Sequence, residues 1–275
     1  MEFRTIVDIP TPPFMLHPQS EILCVGSCFA DKIGQRFREE HFSVESNPFG
    51  VMYNPVSIGH TVARCHRSVD VAIFTLGTNH VYVERSTGQV VDNCQKRPQR
   101  LFEERQFSIE ECCDSLEKAI LTLRLLNQDV KVILTVSPIR YRKYGYRQSK
   151  LSKAVLLLAA NQMEQRYPET VNYFPAYEIV NDELRDYRFY QPDMLHPSQQ
   201  TVDYIWERFA DVYLTDAAKQ FLEEWKPLKE GFAHRPFHPE SEQYQQFAAQ
   251  LRQRYQRFTE KWQVRHVFDI KFGEF

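Results

Sequence analysis

The stretch ILCVGSCFADKIGQRF, residues 22–37, decides the fold. It opens with four apolar residues, 22–25, a run short enough for a buried strand, and Gly26 follows as a strand breaker. From residue 29 to 42 the apolar side chains recur at helical spacing, with Ile33 and Phe37 four apart. A buried strand that passes within a few residues into an amphipathic helix is typical of a protein with alternating strands and helices.

The same alternation continues along the chain. A loop rich in turn formers is predicted at 47–55. Further strands are predicted at 69–76, 130–136 and 171–174, and further helices at 110–126, 151–167 and 198–214. Strands separated by helices form parallel sheets that are covered on both faces. We therefore predict an α/β fold, a three-layer α/β/α sandwich of the flavodoxin-like class with a central parallel sheet.

The C-terminal part has a different character. Residues 226–239 contain three prolines and predict a linker or a segment that wraps around the main domain, and residues 240–262 predict a helix. We thus expect a main domain over 1–225 and a helical extension over 226–275. The extension's helix would dock its apolar stripe on the main domain, or alternatively use it in a homodimer. That stripe consists of Tyr244, Phe247, Leu251, Tyr255, Phe258 and Trp262.

Composition excludes several classes of protein. The 34 lysines and arginines nearly balance the 36 acidic residues, so no global charge favours nucleic acid or an anionic membrane surface. We see neither an apolar run long enough to span a membrane nor a signal peptide, and expect a cytoplasmic protein. The six cysteines have no C-x-x-C spacing, and Pro236 interrupts the His234/His238 pair. We predict no metal and no cofactor.

Ser27 is the first candidate for chemistry, because it lies between a predicted strand end and a helix start. Its hydroxyl would project above the sheet among helix N-terminal amides, which are suitable donors to a developing oxyanion. The alternative is that Ser27 only caps the helix. Asp193-Met194-Leu195-His196 is the second candidate, since the Asp193 carboxylate could orient the His196 imidazole as a base. The alternative there is a capped turn beside a surface histidine.

Other polar residues follow strand ends or loops. Asn79, in Gly77-Thr78-Asn79, offers a side-chain amide, and Gly50 offers a backbone amide to an oxyanion. His80 could contact substrate or serve as a spare base. Cys28 lies near the helix start, where a thiol can become a nucleophile, although packing is the more ordinary role. The carboxyl ends of parallel strands are the usual place for ligands in such a sheet, which strengthens this grouping.

The chain resembles a known family at these residues. Gly26-Ser27-Cys28-Phe29-Ala30 is the signature word of the GSCFA domain family, which belongs with the SGNH (GDSL-like) hydrolases. Similar blocks cover most of residues 5–215. They are residues 22–53, the FTLGTNHVYV segment (74–83), Asp92-Asn93-Cys94, ILTVSPIR (133–140) and residues 173–209.

The resemblance implies a serine esterase that works through an acyl-enzyme on an acylated small molecule or carbohydrate, with deacetylation as one form. It implies a catalytic triad of Ser27, Asp193 and His196, and an oxyanion hole formed by Gly50, Asn79 and the Ser27 amide. The sequence departs from the wider clan at two points. Cys28 follows the serine of a G-S-C block where relatives have G-D-S, and His80 follows Asn79 where the clan has Asp.

Two alternatives from other classes stay open. One is a retired hydrolase that binds a glycan or acylated ligand without turnover. The other is an interaction protein that uses the C-terminal helix and the basic, aromatic run at residues 140–147. That run follows a predicted strand, so it could also be a pocket-side loop that selects an acidic or sugar substrate.

Overall fold

A computed structural model of the protein describes residues 4–92, 94 and 97–264. Asn93 of the family-like block and residues 265–275 of the predicted extension lie outside the described residues. In chain order the elements are β1 (Ile22–Gly26), α1 (Cys28–Glu39), β2 (Val44–Ser46), α2 (Pro55–Arg64), β3 (Val71–Leu76), β4 (His80–Glu84), β5 (Val90–Val91), β6 (Phe102–Gln106), α3 (Ile109–Leu126), β7 (Lys131–Val136), α4 (Gly145–Arg166), β8 (Val171–Tyr173), α5 (Ala176–Glu178), α6 (Gln199–Tyr213), α7 (Asp216–Ala233) and α8 (Glu242–Trp262). Short 3₁₀ helices cover Gln99–Leu101, Arg142–Tyr144 and Tyr187–Phe189, and Ile179–Leu184 is π-helical.

The central sheet has five parallel strands in the order β2-β1-β3-β7-β8. In β1, β3 and β7, alternate residues enter two separate hydrophobic cores, as the pleat of a strand leads one to expect. Ile22 and Cys24 of β1 pack with α1, α6 and α7, whereas Leu23 and Val25 pack with α2, α3 and α4. The predicted α/β class with a covered parallel sheet is thus confirmed.

Gly26 fixes the turn from β1 into α1. Its φ of +147° is a conformation that side chains disfavour, and a Cβ there would lie 2.1 Å from the Thr75 carbonyl oxygen of the neighbouring strand. The chain then enters α1 at once, with Ser27 as N-cap residue. This explains why the glycine and the serine stand next to each other.

Several elements were not predicted from the sequence. β4, β5 and β6 form a small antiparallel sheet, of which β6 has four exposed residues in succession and no alternating apolar signal. The short helix α2 was also not predicted, although the sequence carries two signals for its start: Asn54 as N-cap residue and Pro55 in the first turn. α4 begins at Gly145 rather than at 151, so the basic run already belongs to a 3₁₀ turn and a helix start.

The predicted linker at 226–239 is wrong for its first half. α7 runs through residue 226 to Ala233 and contains Pro227 in its interior. An internal proline costs a helix a hydrogen bond, yet Trp225, Leu228 and Phe232 are all buried in the core beside α1 and α6. Burial of these three side chains offsets the proline, so residues 226–233 are helical rather than a linker, while the division into two domains stays a prediction.

α8 packs against the main body of the chain through part of its stripe. Leu251 and Phe258 are buried, and the Phe258 ring lies 4.9 Å from that of Phe221 in α7. Tyr255 reaches His41 at the end of α1, with its hydroxyl 2.8 Å from Nε2. Homodimer formation through α8 stays a prediction. Within the part of the chain that the structure describes, no helix has the length and apolar character to cross a membrane.

His41 is buried and contacts Tyr255 of α8, so we expect the free energy of unfolding to fall in acid. The imidazole is 4% exposed and stacks on Trp225 at 4.5 Å between ring centroids, and burial lowers its pKa to about 4. The pKa in the unfolded chain is about 6.5, so the unfolded state binds the proton more tightly, and stability is lost as pH falls from about 6.5 to 4. We expect this loss to reach about 3 kcal/mol in the free energy of unfolding.

Urea unfolding of wild type and His41→Gln between pH 7.5 and 4.5 measures this effect. Gln lacks the titrating group but retains a side chain able to accept from Tyr255. The difference in free energy of unfolding between the two proteins should therefore shrink as the pH falls. Two parallel pH profiles would show that His41 does not carry the effect.

Candidate active site

Ser27 lies at the junction of β1 and α1 with its side chain buried. Its Oγ donates to the Oγ of Ser137 at 2.8 Å and accepts the Phe29 amide at 3.3 Å. The second contact is a helix N-cap, so the structural role considered for Ser27 is present. The first contact joins the carboxyl end of β1 to that of β7, and it leaves the hydroxyl engaged with a second polar group.

Ser137 is a site residue that the sequence did not single out. It follows β7, its amide donates to the Leu76 carbonyl, and its Oγ also accepts the Ile139 amide at 3.3 Å. Its only signal in the sequence was a strand-end position before Pro138. Nothing in the sequence reveals that it meets Ser27, which lies 110 positions earlier.

The loop between β2 and α2 binds the ends of β1 and β3 together. The Asn47 side chain accepts the Gly26 amide at 2.9 Å and donates to Asp31 at 2.8 Å. Further along, the Tyr53 carbonyl accepts the amides of Gly77 and Thr78 at 3.0 and 2.7 Å. A Cβ at Gly77 would lie 2.7 Å from that carbonyl oxygen, so only glycine permits the approach.

Two of the three expected oxyanion donors are already used within the structure. The Ser27 amide donates to the Thr75 carbonyl at 3.1 Å, and the Gly50 amide closes a turn on the Asn47 carbonyl at 2.8 Å. Each amide has a single hydrogen, so neither is available in this geometry. Among the described first-turn amides of α1, that of Cys28 has no acceptor, whereas Phe29 and Ala30 donate to Ser27.

Asn79 follows β3 and is only 3% exposed. One hydrogen of its Nδ2 goes to the Phe107 carbonyl at 2.7 Å, which leaves the second hydrogen, and its buried Oδ1 has no partner among the described residues. The Asn79 amide donates to Ser152 at 2.9 Å. Lys153, next in α4, donates to the Gly77 carbonyl at 2.7 Å, and burial holds its pKa well below the usual range. α4 therefore fixes the turn that carries Asn79.

The two remaining candidates have different surroundings. His80 is 5% exposed, stacks on Tyr144 at 3.8 Å and pairs its Nδ1 with Glu104 at 2.8 Å. These contacts place it between β6 and the 3₁₀ turn. Cys28 is partly exposed, with Sγ 3.9 Å from the Tyr53 hydroxyl.

The Asp193 carboxylate folds back onto the segment that follows it. One oxygen accepts the amides of Leu195 and His196 at 2.8 and 3.0 Å, and the other lies 2.6 Å from His196 Nδ1. These donors, the backbone amides first, lower the pKa of Asp193 to about 2, so it is ionised at neutral pH. The imidazole's other nitrogen, Nε2, has no hydrogen-bond partner within the described residues.

The β7–α4 segment (residues 137–144) connects both parts of the site. Its first residue, Ser137, contacts Ser27, and Arg140 donates from its amide to the Leu195 carbonyl at 3.1 Å and from Nη1 to the Met194 carbonyl at 3.0 Å. The loop with Asp193 and His196 is thus attached to the same segment that contacts Ser27. No hydrogen bond joins Ser27 to His196 in the described structure.

The GSCFA family profile matches residues 21–69 and 60–209, more than half of the chain. The chain belongs to the GSCFA family. The profile of the C-terminal domain of GSCFA domain proteins also matches, over residues 225–268. A comparison with curated protein sequences finds no match.

Solved structures share a distant likeness with the chain. One is a protein named as an acylhydrolase from Bacteroides fragilis, 11% identical, covering 78% of this chain and 92% of its own, with a TM-score of 0.48. Another is a carbohydrate esterase of family 3 from Talaromyces cellulolyticus, 15% identical, covering 76% and 93%, with a TM-score of 0.38. A third is a protein named as a GDSL-like lipase from Bacteroides ovatus, 13% identical, covering 77% and 55%, with a TM-score of 0.45.

A metal would need several closely placed ligands. The described residues include no group of three or more His, Cys, Asp or Glu side chains arranged to hold one. The expectation that the protein needs no metal or cofactor stays a prediction.

The buried Ser27–Ser137 hydrogen bond predicts a measurable contribution to the free energy of unfolding. Ser137→Ala leaves the buried Ser27 hydroxyl without its acceptor and should lower the free energy of unfolding by about 1–2 kcal/mol. Ser27→Ala should cost a similar amount because it also removes the helix cap. A double-mutant cycle by urea unfolding isolates the shared bond, for which we expect a coupling of about 1 kcal/mol. Strictly additive losses would mean that the two hydroxyls do not interact.

Proposed function

We propose that the protein is a serine esterase or acylhydrolase with Ser27 as nucleophile, His196 as base and Asp193 as the group that orients the base. One observation carries the proposal: the Asp193–His196 pair is tied through Arg140 to the segment whose Ser137 contacts Ser27. Membership of the GSCFA family, which resembles the SGNH hydrolases at the same residues, supports it further.

The proposed reaction has two halves. His196 Nε2 takes the Ser27 proton, Ser27 Oγ attacks the acyl carbonyl, and the imidazolium returns the proton to the leaving alcohol. Water then attacks the acyl-enzyme in the same way and releases the acid. Asp193 stays ionised throughout and stabilises the imidazolium through Nδ1, as its lowered pKa permits. Before the first step the Ser27 hydroxyl must turn from Ser137 to the imidazole.

The oxyanion hole is proposed to differ from the one that the family resemblance implies. The amides of Ser27 and Gly50 donate to backbone carbonyls, whereas the Cys28 amide, at the N-terminus of α1, has no acceptor in the part of the chain that the structure describes. This amide and the second Nδ2 hydrogen of Asn79 are the donors that we assign to the oxyanion. Cys28 would act through its backbone, so a thiol at this position is not needed.

The substrate is proposed to be an acylated small molecule or carbohydrate, with acetyl among the candidate acyl groups. Tyr53 contributes aromatic surface beside the site, since it is 39% exposed and its hydroxyl lies 3.9 Å from Cys28 Sγ. A cytoplasmic location and the absence of nucleic-acid or membrane partners remain part of this proposal.

A ligand-binding protein without turnover is the second candidate. The observation that favours it is the burial of Ser27, whose side chain is 0% exposed and whose hydroxyl is held by Ser137. An adaptor that works through α8 has less support, because Leu251 and Phe258 are used in packing against α7.

Labelling with a fluorophosphonate probe separates the two candidates. We expect wild type to react at Ser27, since His196 activates its hydroxyl, and we expect Ser27→Ala and His196→Ala to lose the label. Cys28→Ala serves as the matched control and should label like wild type. A folded wild type that stays unlabelled would favour the binding protein.

The Cys28 amide can be removed without loss of the helix. Proline is well tolerated at the first helical position, and the extended Ser27 backbone (φ −61°, ψ 173°) suits a residue before proline. We expect Cys28→Pro to fold like Cys28→Ala but to hydrolyse p-nitrophenyl acetate about 10²–10³-fold more slowly, the usual cost of one oxyanion donor. Equal kcat values for the two variants, with equal melting temperatures, would exclude the amide as a donor.

A further inference from the structure

Arg140 is surrounded by three tyrosine rings. Its guanidinium carbon lies 4.4 Å from the ring centroid of Tyr146, 5.5 Å from that of Tyr190 and 5.8 Å from that of Tyr187. All three distances fall within the range of cation–π attraction, in which the ring faces stabilise the positive charge. Among the described residues, no carboxylate forms an ion pair with Arg140. The rings therefore take the place of the usual acidic partner.

The rings come from two different parts of the chain. Tyr146 belongs to the start of α4, whereas Tyr187 and Tyr190 lead into the loop that carries Asp193 and His196. Arg140 thus bridges α4 and this loop at its entrance. Tyr187 is 64% and Tyr146 49% exposed, so the cluster lies at the surface rather than in the core.

Arg140 also holds the tip of the same loop. Its amide and Nη1 donate to the carbonyls of Leu195 and Met194, the two residues between Asp193 and His196. Met194 has a φ of +59°, a left-handed conformation that is unfavourable for a non-glycine residue. Nη1 binds the carbonyl of the very residue that adopts this conformation. Within the loop, the Gln191 amide donates to the His196 carbonyl at 2.7 Å and the Met194 amide donates to the Gln191 carbonyl at 2.9 Å, whereas the Met194 carbonyl is bound by Arg140.

We propose that Arg140 is a positioning residue that holds the Asp193–His196 loop in the geometry in which Nε2 faces the site. The side chain fixes the Met194 peptide, and this keeps the Asp193 carboxylate under Nδ1. The three tyrosines hold the guanidinium in turn. The kinetic part of this inference rests on the proposed function, whereas the structural part does not.

A rival role for Arg140 would be direct binding of an anionic group on the substrate, because its remaining N–H groups have no acceptor in the described structure. The two roles predict different kinetics. A positioning residue changes kcat and the environment of His196, whereas a substrate-binding residue changes KM and leaves His196 as it was.

The test compares Arg140→Met, which keeps the length but removes the charge and the donors, with Arg140→Lys, which keeps the charge. Arg147→Met is the matched control, because Arg147 is an exposed arginine of the same run with no hydrogen bond or ion pair among the described residues. Three measurements are made: the ¹⁵N and ¹H resonances of the His196 ring, identified by their loss in His196→Gln, the rate and pH profile of fluorophosphonate labelling, and kcat and KM for an ester that carries a charged group.

In Arg140→Met we expect the His196 Nδ1–H signal to broaden or move. We expect labelling to slow by about 100-fold, the loss typical of a catalytic group displaced by an ångström, with a changed pH profile. Arg140→Lys should recover part of both, and Arg147→Met should match wild type. If Arg140→Met fails to fold, the same measurements on Arg140→Lys are compared with those on Arg147→Met, and this comparison tests the positioning role.

The inference is overturned if the His196 signals of the Arg140 variants equal those of Arg147→Met, or if only KM for a charged ester rises. A wild type that is never labelled, together with a His196 ring that moves in Arg140→Met, would keep the positioning role and reject the proposed function. A failure of the positioning role of Arg140 can therefore be distinguished from a failure of the proposed esterase function.

Discussion

The close approach of Gly26 to the Thr75 carbonyl is the constraint on which the site depends. The Ser27 amide donates to this carbonyl, and a Cβ on residue 26 would lie 2.1 Å from the same oxygen. The contact ends the pairing of β1 with β3 and turns the chain into α1 at Ser27. The Ser27 amide is occupied by this hydrogen bond, whereas the next amide, that of Cys28, has no acceptor among the described residues.

The β7–α4 segment then brings the distant parts of the chain to that turn. Ser137 binds Ser27, Arg140 binds the loop of Asp193 and His196, and Lys143 contacts Tyr82 and Glu104 of the antiparallel sheet. Two members of the basic run at 140–147, Arg140 and Lys143, make these internal contacts, while the role of the run as a substrate or partner surface stays a prediction. Their charges are matched by tyrosine rings and one glutamate, so this run links elements of one fold.

The parts that were predictable from the sequence are those with local signals. Buried strands such as 71–76 stand out as apolar runs, and the positions of Ser27, Asn79 and Ser137 at strand ends follow from them. Which backbone amides are free to bind an oxyanion was not predictable, because each amide's acceptor is brought to it by the fold, as the Thr75 carbonyl is brought to the Ser27 amide. Pro227 led to a wrong prediction, because proline disfavours a helix interior and residues 226–233 are nevertheless helical. Burial of the neighbouring side chains stabilises the helix, and this tertiary packing cannot be read from the local sequence.

The hydrogen bond between Ser27 and Ser137 does not by itself argue against catalysis. Exchange of one hydroxyl partner for another changes the net free energy by about 1 kcal/mol, which is small beside the 8 kcal/mol or more by which enzymes typically lower a barrier. Access matters more, because the Ser27 side chain is buried and a substrate carbonyl must reach its Oγ. The Tyr53 loop contacts the neighbouring residue, with the Tyr53 hydroxyl 3.9 Å from Cys28 Sγ, and the Tyr53 carbonyl accepts the amides of Gly77 and Thr78. Any movement of this loop would therefore also shift the turn that carries Asn79, one of the proposed oxyanion donors.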